Sequence, residues 1–215
     1  MKNQEKESFC QVLATLFYTP DRELAKQIYQ GDVYSFFEKY VQSSERDGDL
    51  IKGFLMEGDS ETVFRNLKEA YERLFLGVSG EGIPLVESFY KPWTQDPRCP
   101  LPFASERGLL MGDSALHLFE IYRQCGLEVS EEFKSCPDHI VMELEFLSYL
   151  YQWATDIEIK TFIEDHMDWI LLPKEEFKRF HPHPFYVSTL EVLDLFLNQE
   201  RERLEVEGHG KKKIH

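Results

Sequence analysis

Apolar residues recur three and four positions apart along most of this chain, and no segment alternates apolar and polar residues as a half-buried β-strand does. Such spacing places the apolar residues of a segment on one face of a helix. It predicts helices over residues 5–18, 24–29, 33–41, 61–75, 105–125, 137–151, 162–170 and 185–204. The chain also shows no internal repeat and no linker between separate domains. We therefore predict an all-α fold, with a single-domain helical bundle over residues 1–204 and a frayed basic tail at 205–215.

The longest interruption of the helical pattern is the segment 77–103, which is rich in glycine and proline. The prolines exclude a continuous helix. A connection of this length inside a compact domain is either disordered or functional. This segment also carries Phe89, Tyr90, Trp93 and Phe103, which a merely flexible linker would not need. We predict a long ordered loop with a functional role.

Two helix starts carry capping signals. Thr19 suits the N-cap of the second helix, and Pro20 suits its first turn. In the helix that opens at Pro137, Ser135 is the expected N-cap, and Asp138 would reach back in an arrangement that resembles a capping box. The alternative places Asp138 and His139 at the mouth of the helix, facing a groove. Taken alone, the segment favours the cap.

The chain is strongly acidic, with a formal net charge of −15, and 14% of its residues are aromatic. Such a protein repels phosphate backbones over a Debye length of about 10 Å, which argues against nucleic acid as a partner. It suits a basic peptide instead, and aromatic side chains are frequent anchors of bound peptides. The alternative is that the acidity only maintains solubility.

The cysteines and the polar N-terminus indicate the compartment. The cysteines at positions 10, 99, 125 and 136 have no metal-binding spacing and do not suggest a disulfide framework. Residues 1–7 lack the apolar stretch of a signal peptide. No apolar run approaches the ~20 residues that a membrane span requires. We expect a cytoplasmic protein without a membrane span.

Common catalytic motifs are missing from the sequence. It has no Gly-x-Ser-x-Gly, no His-Glu-x-x-His and no phosphate-binding Gly-x-x-x-x-Gly-Lys. One enzymatic alternative remains, a metal-dependent hydrolase that uses His139, Glu143 and His166. The spacing of the first two is also that of an ordinary contact within a helix. We predict a protein that is not an enzyme and that holds no metal or other cofactor.

Several segments resemble one known family when they are taken together. Pro137–Ile140 followed by Glu143–Phe146 is similar to the signature of the TorD/DmsD/NarJ family of redox-enzyme maturation chaperones. Tyr71–Phe75 resembles the aromatic-x-x-Leu-Phe helix before the family's loop, and Pro84–Tyr90 resembles its Pro-x-x-Glu-Ser-Val-Tyr element. Phe162–Trp169 and the pair at 185–186 resemble its C-terminal helices. The resemblance covers roughly residues 60–200.

The resemblance implies an all-helical chaperone of the cytoplasm. It implies a partner, the catalytic subunit of a molybdopterin-containing oxidoreductase, which the chaperone binds through a twin-arginine signal peptide or in its apo-form until the cofactor is inserted. It also implies a peptide-binding groove, in which carboxylates receive guanidinium groups and apolar side chains receive an apolar stretch. The residues of that groove would be Tyr71, Leu74, Phe75, Glu87, Tyr90, Trp93, Asp138, His139 and Glu143.

The sequence leaves the roles of several of these residues open. Trp93 lies in a loop that is longer than in the best-known members, and it either contacts the bound subunit or covers the core. Leu74 and Phe75 belong either to the groove or to the core, and Glu143 either binds peptide or supports His139. A NarJ-like member would bind a subunit that is not exported. A structural subunit of an oxidoreductase complex is a third reading, and both monomer and dimer stay open.

Overall fold

The computed structural model describes residues 1–43, 48–77, 82–180 and 182–210. Within these ranges the chain is helical and has no β-strand, so the predicted all-α class is confirmed. The α-helices are α1 (Asn3–Phe17), α2 (Arg22–Gln30), α3 (Asp32–Ser43), α4 (Ser60–Phe75), α5 (Glu87–Tyr90), α6 (Asp113–Gln124), α7 (Ile140–Trp153), α8 (Asp156–His166), α9 (Leu171–Phe180) and α10 (Pro184–Gly210). Short 3-10 helices lie at Gly48–Phe54, Glu131–Phe133 and Asp168–Ile170. None of the described helices combines the length and the apolar character that crossing a membrane requires.

The helices group into two compact units, each made from two stretches of sequence. The first unit comprises Met1–Ala14 and Pro84–Leu172. The second unit comprises Thr15–Ile83 and Pro173–His215. The single domain predicted over residues 1–204 stays a prediction.

In the first unit, α7 is the central helix, because almost all of its circumference is buried. Ile140, Val141, Leu144 and Leu147 are each 0% exposed. Burial of one such side chain stabilises the fold by about 1.5–3 kcal/mol relative to leaving it in water. On the same helix, Phe146 contacts rings of both α6 and α8. These contacts explain the helical periodicity of this stretch of sequence.

In the second unit, the first 3-10 helix packs closely against α3 and α10. The ring of Phe54 lies between those of Phe37 and Phe185, with centroid distances of 5.2 and 5.5 Å. Gly53 permits this approach, since a β-carbon at its position would lie 2.1 Å from the carbonyl oxygen of Pro184. The glycine that only interrupts the pattern in the sequence is therefore a packing site in the structure.

The N-cap of α2 differs from the prediction. Asp21 caps the helix, and its carboxylate accepts a hydrogen bond from the N–H of Leu24 at 2.8 Å. The predicted cap at Thr19, with Pro20 in the first helical turn, is wrong. A carboxylate satisfies a free N–H group and also interacts favourably with the positive end of the helix dipole, which a hydroxyl does not.

Helix α6 begins at Asp113, not at residue 105 as predicted. The residues before it pair with the loop instead, and Trp93 N–H donates to the carbonyl oxygen of Glu106 at 2.9 Å. Asp113 N–H in turn donates to the carbonyl oxygen of Trp93 at 2.8 Å. The N-cap is Gly112. A larger residue does not fit there, because a β-carbon would lie 2.6 Å from that same oxygen. The backbone groups that an earlier helix start would need are thus hydrogen-bonded to the loop.

The predicted loop and the C-terminal helix also have revised limits. In the described part of the loop, residues 82–103, the chain is held by backbone hydrogen bonds and contains α5. Residues 78–81 lie outside the described ranges. Helix α10 continues to Gly210, beyond the predicted end at residue 204, and the rest of the basic tail, residues 211–215, is also outside them. The four cysteines form no disulfide bond.

Candidate binding site around the start of helix α7

Helix α7 begins at Ile140, and its N-cap is His139. The Nδ1 atom of His139 accepts a hydrogen bond from Val141 N–H at 3.3 Å, so the imidazole is the capping group. The predicted N-cap at Ser135 and the predicted helix start at residue 137 are wrong.

Asp138 connects the start of α7 to the short helix α5. Its Oδ2 atom accepts a hydrogen bond from Ser88 N–H at 2.6 Å, and its carbonyl oxygen accepts one from Glu87 N–H at 3.0 Å. The N-cap position of α5, Val86, supplies no side-chain acceptor. Asp138 therefore satisfies the free N–H groups of α5, and the predicted capping box on its own helix does not form.

Three buried carboxyl groups meet at this junction, those of Glu87, Asp138 and Glu143, and we call them the carboxylate cluster. Each of these residues is 0% exposed. Glu87 Oε1 lies 2.6 Å from Lys91 Nζ, and Glu87 Oε2 lies 2.9 Å from His166 Nδ1. In the described part of the chain, one lysine and one histidine thus face three carboxyl groups. The cluster has an excess of acidic groups over basic ones.

Trp169 closes the cluster on its apolar side. Its Nε1 atom donates a hydrogen bond to Glu143 Oε2 at 3.0 Å. Its ring stacks on that of Tyr90, with centroids 5.4 Å apart and planes 17° apart. Trp169 is 1% exposed and Tyr90 is 6% exposed, so the two rings keep water away from Glu143.

Burial controls the protonation of the cluster. It raises the pKa of Glu143 well above its ordinary value, and the negative charges of Glu87 and Asp138 raise this pKa further. Burial also raises the pKa of Asp138, although the hydrogen bond from Ser88 opposes this. Both shifts favour the neutral, protonated form of these carboxyl groups. Asp138 Oδ1 is buried and has no hydrogen-bond partner among the described residues.

The capping histidine makes stability depend on pH. Burial lowers the pKa of His139 from 6.5 to about 4, because it disfavours the charged imidazolium. As the pH falls from about 6.5 to 4, the unfolded chain gains a proton that the folded chain does not, so folding loses on the order of 3 kcal/mol. We expect His139→Asn, which keeps an acceptor at the N-cap but does not titrate, to abolish this part of the acid destabilisation. Urea unfolding at pH 7 and pH 4 measures it. An equal loss of stability in the variant and the parent would contradict the prediction.

An apolar groove lies in the same unit, between α6, α7 and α8, and has a volume of about 380 Å³. Its most exposed members are Trp153 and Ile157, each 73% exposed. The other lining residues are His117, Ile121, Cys125, Phe146, Tyr149, Leu150, Ala154, Glu158, Thr161, Phe162, Asp165 and His166. Such strongly exposed apolar side chains beside a concave surface are typical of a binding site.

Two histidines connect the groove to the carboxylate cluster. His117 Nδ1 lies 2.9 Å from His166 Nε2, and their rings stack with centroids 5.0 Å apart. The other nitrogen of His166 contacts Glu87. Burial lowers the pKa of His117, and a positive charge on His166 would lower it further. A continuous chain of hydrogen-bonding groups therefore runs from the groove to the buried carboxyl groups.

Six of the nine predicted peptide-binding residues lie in the first unit. Glu87, Asp138 and Glu143 form the carboxylate cluster, and Tyr90 lies on Trp169, as described above. His139 is partly exposed, and its ring stacks on Phe133 at 4.8 Å. Trp93 is also partly exposed, and its ring contacts that of Phe103 at 5.2 Å. Four of these six side chains are thus buried, and two are partly exposed.

The other three predicted residues, Tyr71, Leu74 and Phe75, lie on α4 in the second unit. Tyr71 and Leu74 belong to its core, with 6% and 1% of their surface exposed. Phe75 is partly exposed and packs edge-on against Tyr186, with ring centroids 5.0 Å apart. Leu74, which the sequence placed either in the groove or in the core, thus lies in the core.

Lys91 and His117 belong to the site but are not among the residues predicted for it. A signal for Lys91 existed, since it follows Glu87 by four residues, the spacing of an ion pair on one helix face. No comparable signal existed for His117, because its partner His166 lies 49 positions away in the sequence.

The three residues of the hydrolase alternative have separate partners. His139 binds its own helix, Glu143 binds Trp169, and His166 binds Glu87. Across the described ranges, no group of three or more His, Cys, Asp or Glu side chains is arranged to hold a metal ion.

Comparison with known proteins adds an independent line of evidence. The sequence profile of the nitrate reductase delta subunit family matches residues 43–172, more than half of the chain. A chaperone protein TorD of Vibrio parahaemolyticus serotype O3:K6 is 28% identical over 112 residues, which cover 45% of this chain and 52%, about half, of that protein. A chaperone protein TorD of Vibrio cholerae serotype O1 is 23% identical over 219 aligned residues, which cover 94% of this chain and 93% of that protein.

Proposed function

This chain belongs to the nitrate reductase delta subunit family, which is the TorD/DmsD/NarJ family that its motifs resemble, and we propose that it is a cytoplasmic maturation chaperone for a molybdenum-containing oxidoreductase. It binds the catalytic subunit and holds it until the cofactor is inserted. The curated relatives are named as chaperones, which confirms the prediction that the protein is not an enzyme.

The signal peptide of the client is the ligand that fits the chemistry of the site. A twin-arginine peptide brings two guanidinium groups, and each is a planar donor that matches a carboxylate. The observation that carries this proposal is the carboxylate cluster at the start of α7, where three carboxyl groups are buried and a lysine ammonium group pairs with Glu87. Asp138 Oδ1 is a buried acceptor that no described residue satisfies, and a guanidinium would satisfy it.

Access to the cluster requires a movement of the loop. Helix α5 covers Asp138 through the hydrogen bonds to Ser88 and Glu87, and it consists of only four residues. The partly exposed His139 lies beside it and gives a peptide its first contact. A bound guanidinium replaces the donors that α5 withdraws, so that the acceptors of Asp138 remain paired.

The first test is binding of a synthetic twin-arginine peptide, measured by fluorescence polarisation. The double variant Asp138→Asn, His139→Ala is expected to bind at least about 10-fold more weakly, because a hydrogen bond to a charged group contributes about 1.5–3 kcal/mol. Asparagine at position 138 keeps an oxygen for Ser88 N–H, and circular dichroism verifies that loss of the His139 cap leaves the variant folded.

The control for this experiment is Asp96→Asn, which removes the charge of an exposed carboxylate elsewhere in the first unit. It is expected to bind like the parent. We also test a second peptide, in which glutamine replaces both arginines. Its affinity for the parent protein is expected to be as low as that of the twin-arginine peptide for the double variant. Unchanged affinity in both comparisons would show that the cluster does not bind arginine. Binding of the whole client subunit with and without its signal peptide separates signal recognition from recognition of the apo-form.

A further inference from the structure

Lys91 occupies a set of oxygen atoms to which the proposed function gives no role as a set. We infer that these oxygens, from the side chains of Glu87 and Asp168 and the backbone carbonyl of Asp165, form a cation site that one guanidinium group of the client takes by displacing Lys91. The ammonium group of Lys91 is then a built-in competitor that sets the affinity of the carboxylate cluster for its ligand. This deepens the proposed function and rests on it for the identity of the ligand.

The three oxygen atoms of this cation site meet at the ammonium group of Lys91. Its Nζ atom lies 2.6 Å from Glu87 Oε1, 2.6 Å from Asp168 Oδ1 and 2.6 Å from the carbonyl oxygen of Asp165. An ammonium group has three hydrogen atoms to donate, so each oxygen receives one hydrogen bond. The site therefore holds a cation through directed hydrogen bonds as well as through charge.

The position of the cation site at the end of α8 favours any positive charge. Asp165 is the last residue but one of this helix. The carbonyl groups of the last helical turn have no N–H partner within the helix, and the helix dipole gives this end a partial negative charge. The carboxyl groups of Glu87 and Asp168 lie beside it. The attraction is thus toward cations in general and not toward lysine in particular.

The cation site opens to solvent on the side of Asp168. The side chain of Asp168 is 54% exposed, whereas that of Lys91 is 18% exposed and that of Glu87 is 0% exposed. A ligand therefore reaches Asp168 without a change in the fold, and it then competes with Lys91 for the inner oxygens. Guanidinium suits this exchange, because its planar fork of N–H groups binds a carboxylate through two parallel hydrogen bonds.

Displacement of Lys91 also loosens the short helix that covers the carboxylate cluster. Lys91 directly follows α5 and ties its end to the segment after α8. The contacts of α5 that remain include the hydrogen bonds to Asp138 and the stacking of Tyr90 on Trp169. The hydrogen bonds to Asp138 are those that a guanidinium replaces in the proposed function. A ligand with two arginines fills both places, and a ligand with a single cation fills only one.

Removal of Lys91 is expected to raise the affinity for arginine, although it destabilises the fold. In fluorescence polarisation, Lys91→Met is expected to bind the twin-arginine peptide about 5- to 10-fold more tightly than the parent, because the ligand no longer competes with an internal cation. Its affinity for the peptide in which glutamine replaces both arginines is expected to be unchanged. Lys134→Met is the control, since its ion pair with Glu131 lies at the surface, and it is expected to bind like the parent. A lysine that only supports the fold would leave the affinity unchanged or lower when it is removed.

Asp168 is tested in the Lys91→Met background, where it no longer holds α5. There Asp168→Asn is expected to weaken binding of the twin-arginine peptide about 3- to 10-fold, because the guanidinium loses a charged acceptor. Glu164→Gln in the same background is the matched control, since Glu164 is 48% exposed on α8 and pairs with Lys160. It is expected to leave the gain in affinity intact. Circular dichroism verifies that each variant is folded.

A small cation tests the site without any peptide. N-ethylguanidinium chloride at about 50 mM is expected to raise the melting temperature of Lys91→Met by about 2–4 °C, or to restore its circular dichroism spectrum if the variant is unfolded. The parent and Lys134→Met are expected to show no such effect. Tetramethylammonium chloride, whose cation has no N–H group to donate, is expected to leave all three proteins unchanged.

Two outcomes overturn the inference. The first is an equal response of Lys91→Met and the parent to N-ethylguanidinium. The second is a folded Lys91→Met variant that binds the twin-arginine peptide no more tightly than the parent. Failure of the proposed function is distinguishable from failure of the cation site. Absence of peptide binding to the parent and to every variant contradicts the proposed function, whereas the response to N-ethylguanidinium reports on the cation site whatever the peptide does.

Discussion

Replacement of Trp169 by alanine is expected to lower the free energy of unfolding by about 3–5 kcal/mol. The side chain is 1% exposed, so the substitution leaves a cavity in the first unit. It also removes the stacking partner of Tyr90 and leaves Glu143 Oε2 without its donor at 3.0 Å. A buried acceptor that loses its donor adds a desolvation cost of about 1–3 kcal/mol, which places the total in the upper part of that range.

The matched control is Trp153→Ala, the same substitution at a side chain that is 73% exposed. It is expected to change stability by no more than about 0.5 kcal/mol. Urea unfolding followed by circular dichroism measures both variants. Equal destabilisation by the two substitutions would mean that Trp169 does not stabilise the carboxylate cluster.

Replacement of Lys91 by methionine is expected to destabilise the protein by about 3–5 kcal/mol, because it leaves a buried carboxylate without its cation. Lys91 Nζ lies 2.6 Å from Glu87 Oε1 and 2.6 Å from Asp168 Oδ1, and it donates to the carbonyl oxygen of Asp165 at 2.6 Å. Burial by itself would lower the pKa of Lys91, but Glu87 and Asp168 raise it overall. The ammonium group is therefore charged and holds α5 to the segment after α8.

The pH dependence of this effect has a definite sign. The folded-state pKa of Lys91 is raised above its ordinary value of 10.5, so the difference between Lys91→Met and the parent is expected to be present at neutral pH and to narrow as the pH rises through that pKa. Lys134→Met is the control, because its ion pair with Glu131 lies at the surface, where such pairs contribute about 0–1 kcal/mol. A difference in the free energy of unfolding that stays constant from pH 8 to pH 11 would show that Lys91 acts through packing and not through its charge.

The fold could be predicted from the sequence to a large extent. Periodicity identified α1 and α4, because each buries one face and the buried positions repeat with the helical period. Most errors lie at helix starts, at Asp21, Gly112 and His139. Helix starts depend on which acceptor reaches the first free N–H groups, and several nearby residues are suitable acceptors in each case.

The candidate site could be predicted only in part. The motif at Asp138–His139 was correctly singled out as a helix entrance, but Asp138 caps α5 and His139 caps α7. Hydrogen bonds that span 50 positions of sequence, like that between Asp138 and Ser88, leave no local pattern. Exposure was also not predictable, because a carboxylate in a motif is buried or exposed according to what packs over it.

The sequence by itself determined the all-α class, the position of the long loop, and the family to which the chain belongs. These properties follow from local spacing and from short motifs, which the chain carries wherever its segments lie. Only the tertiary structure decided that Glu87, Asp138 and Glu143 share one buried site and that His166 connects it to the groove. The physical reason is that protonation and hydrogen bonding of a buried group depend on its neighbours in space, and loop closure brings together residues that are far apart in the sequence.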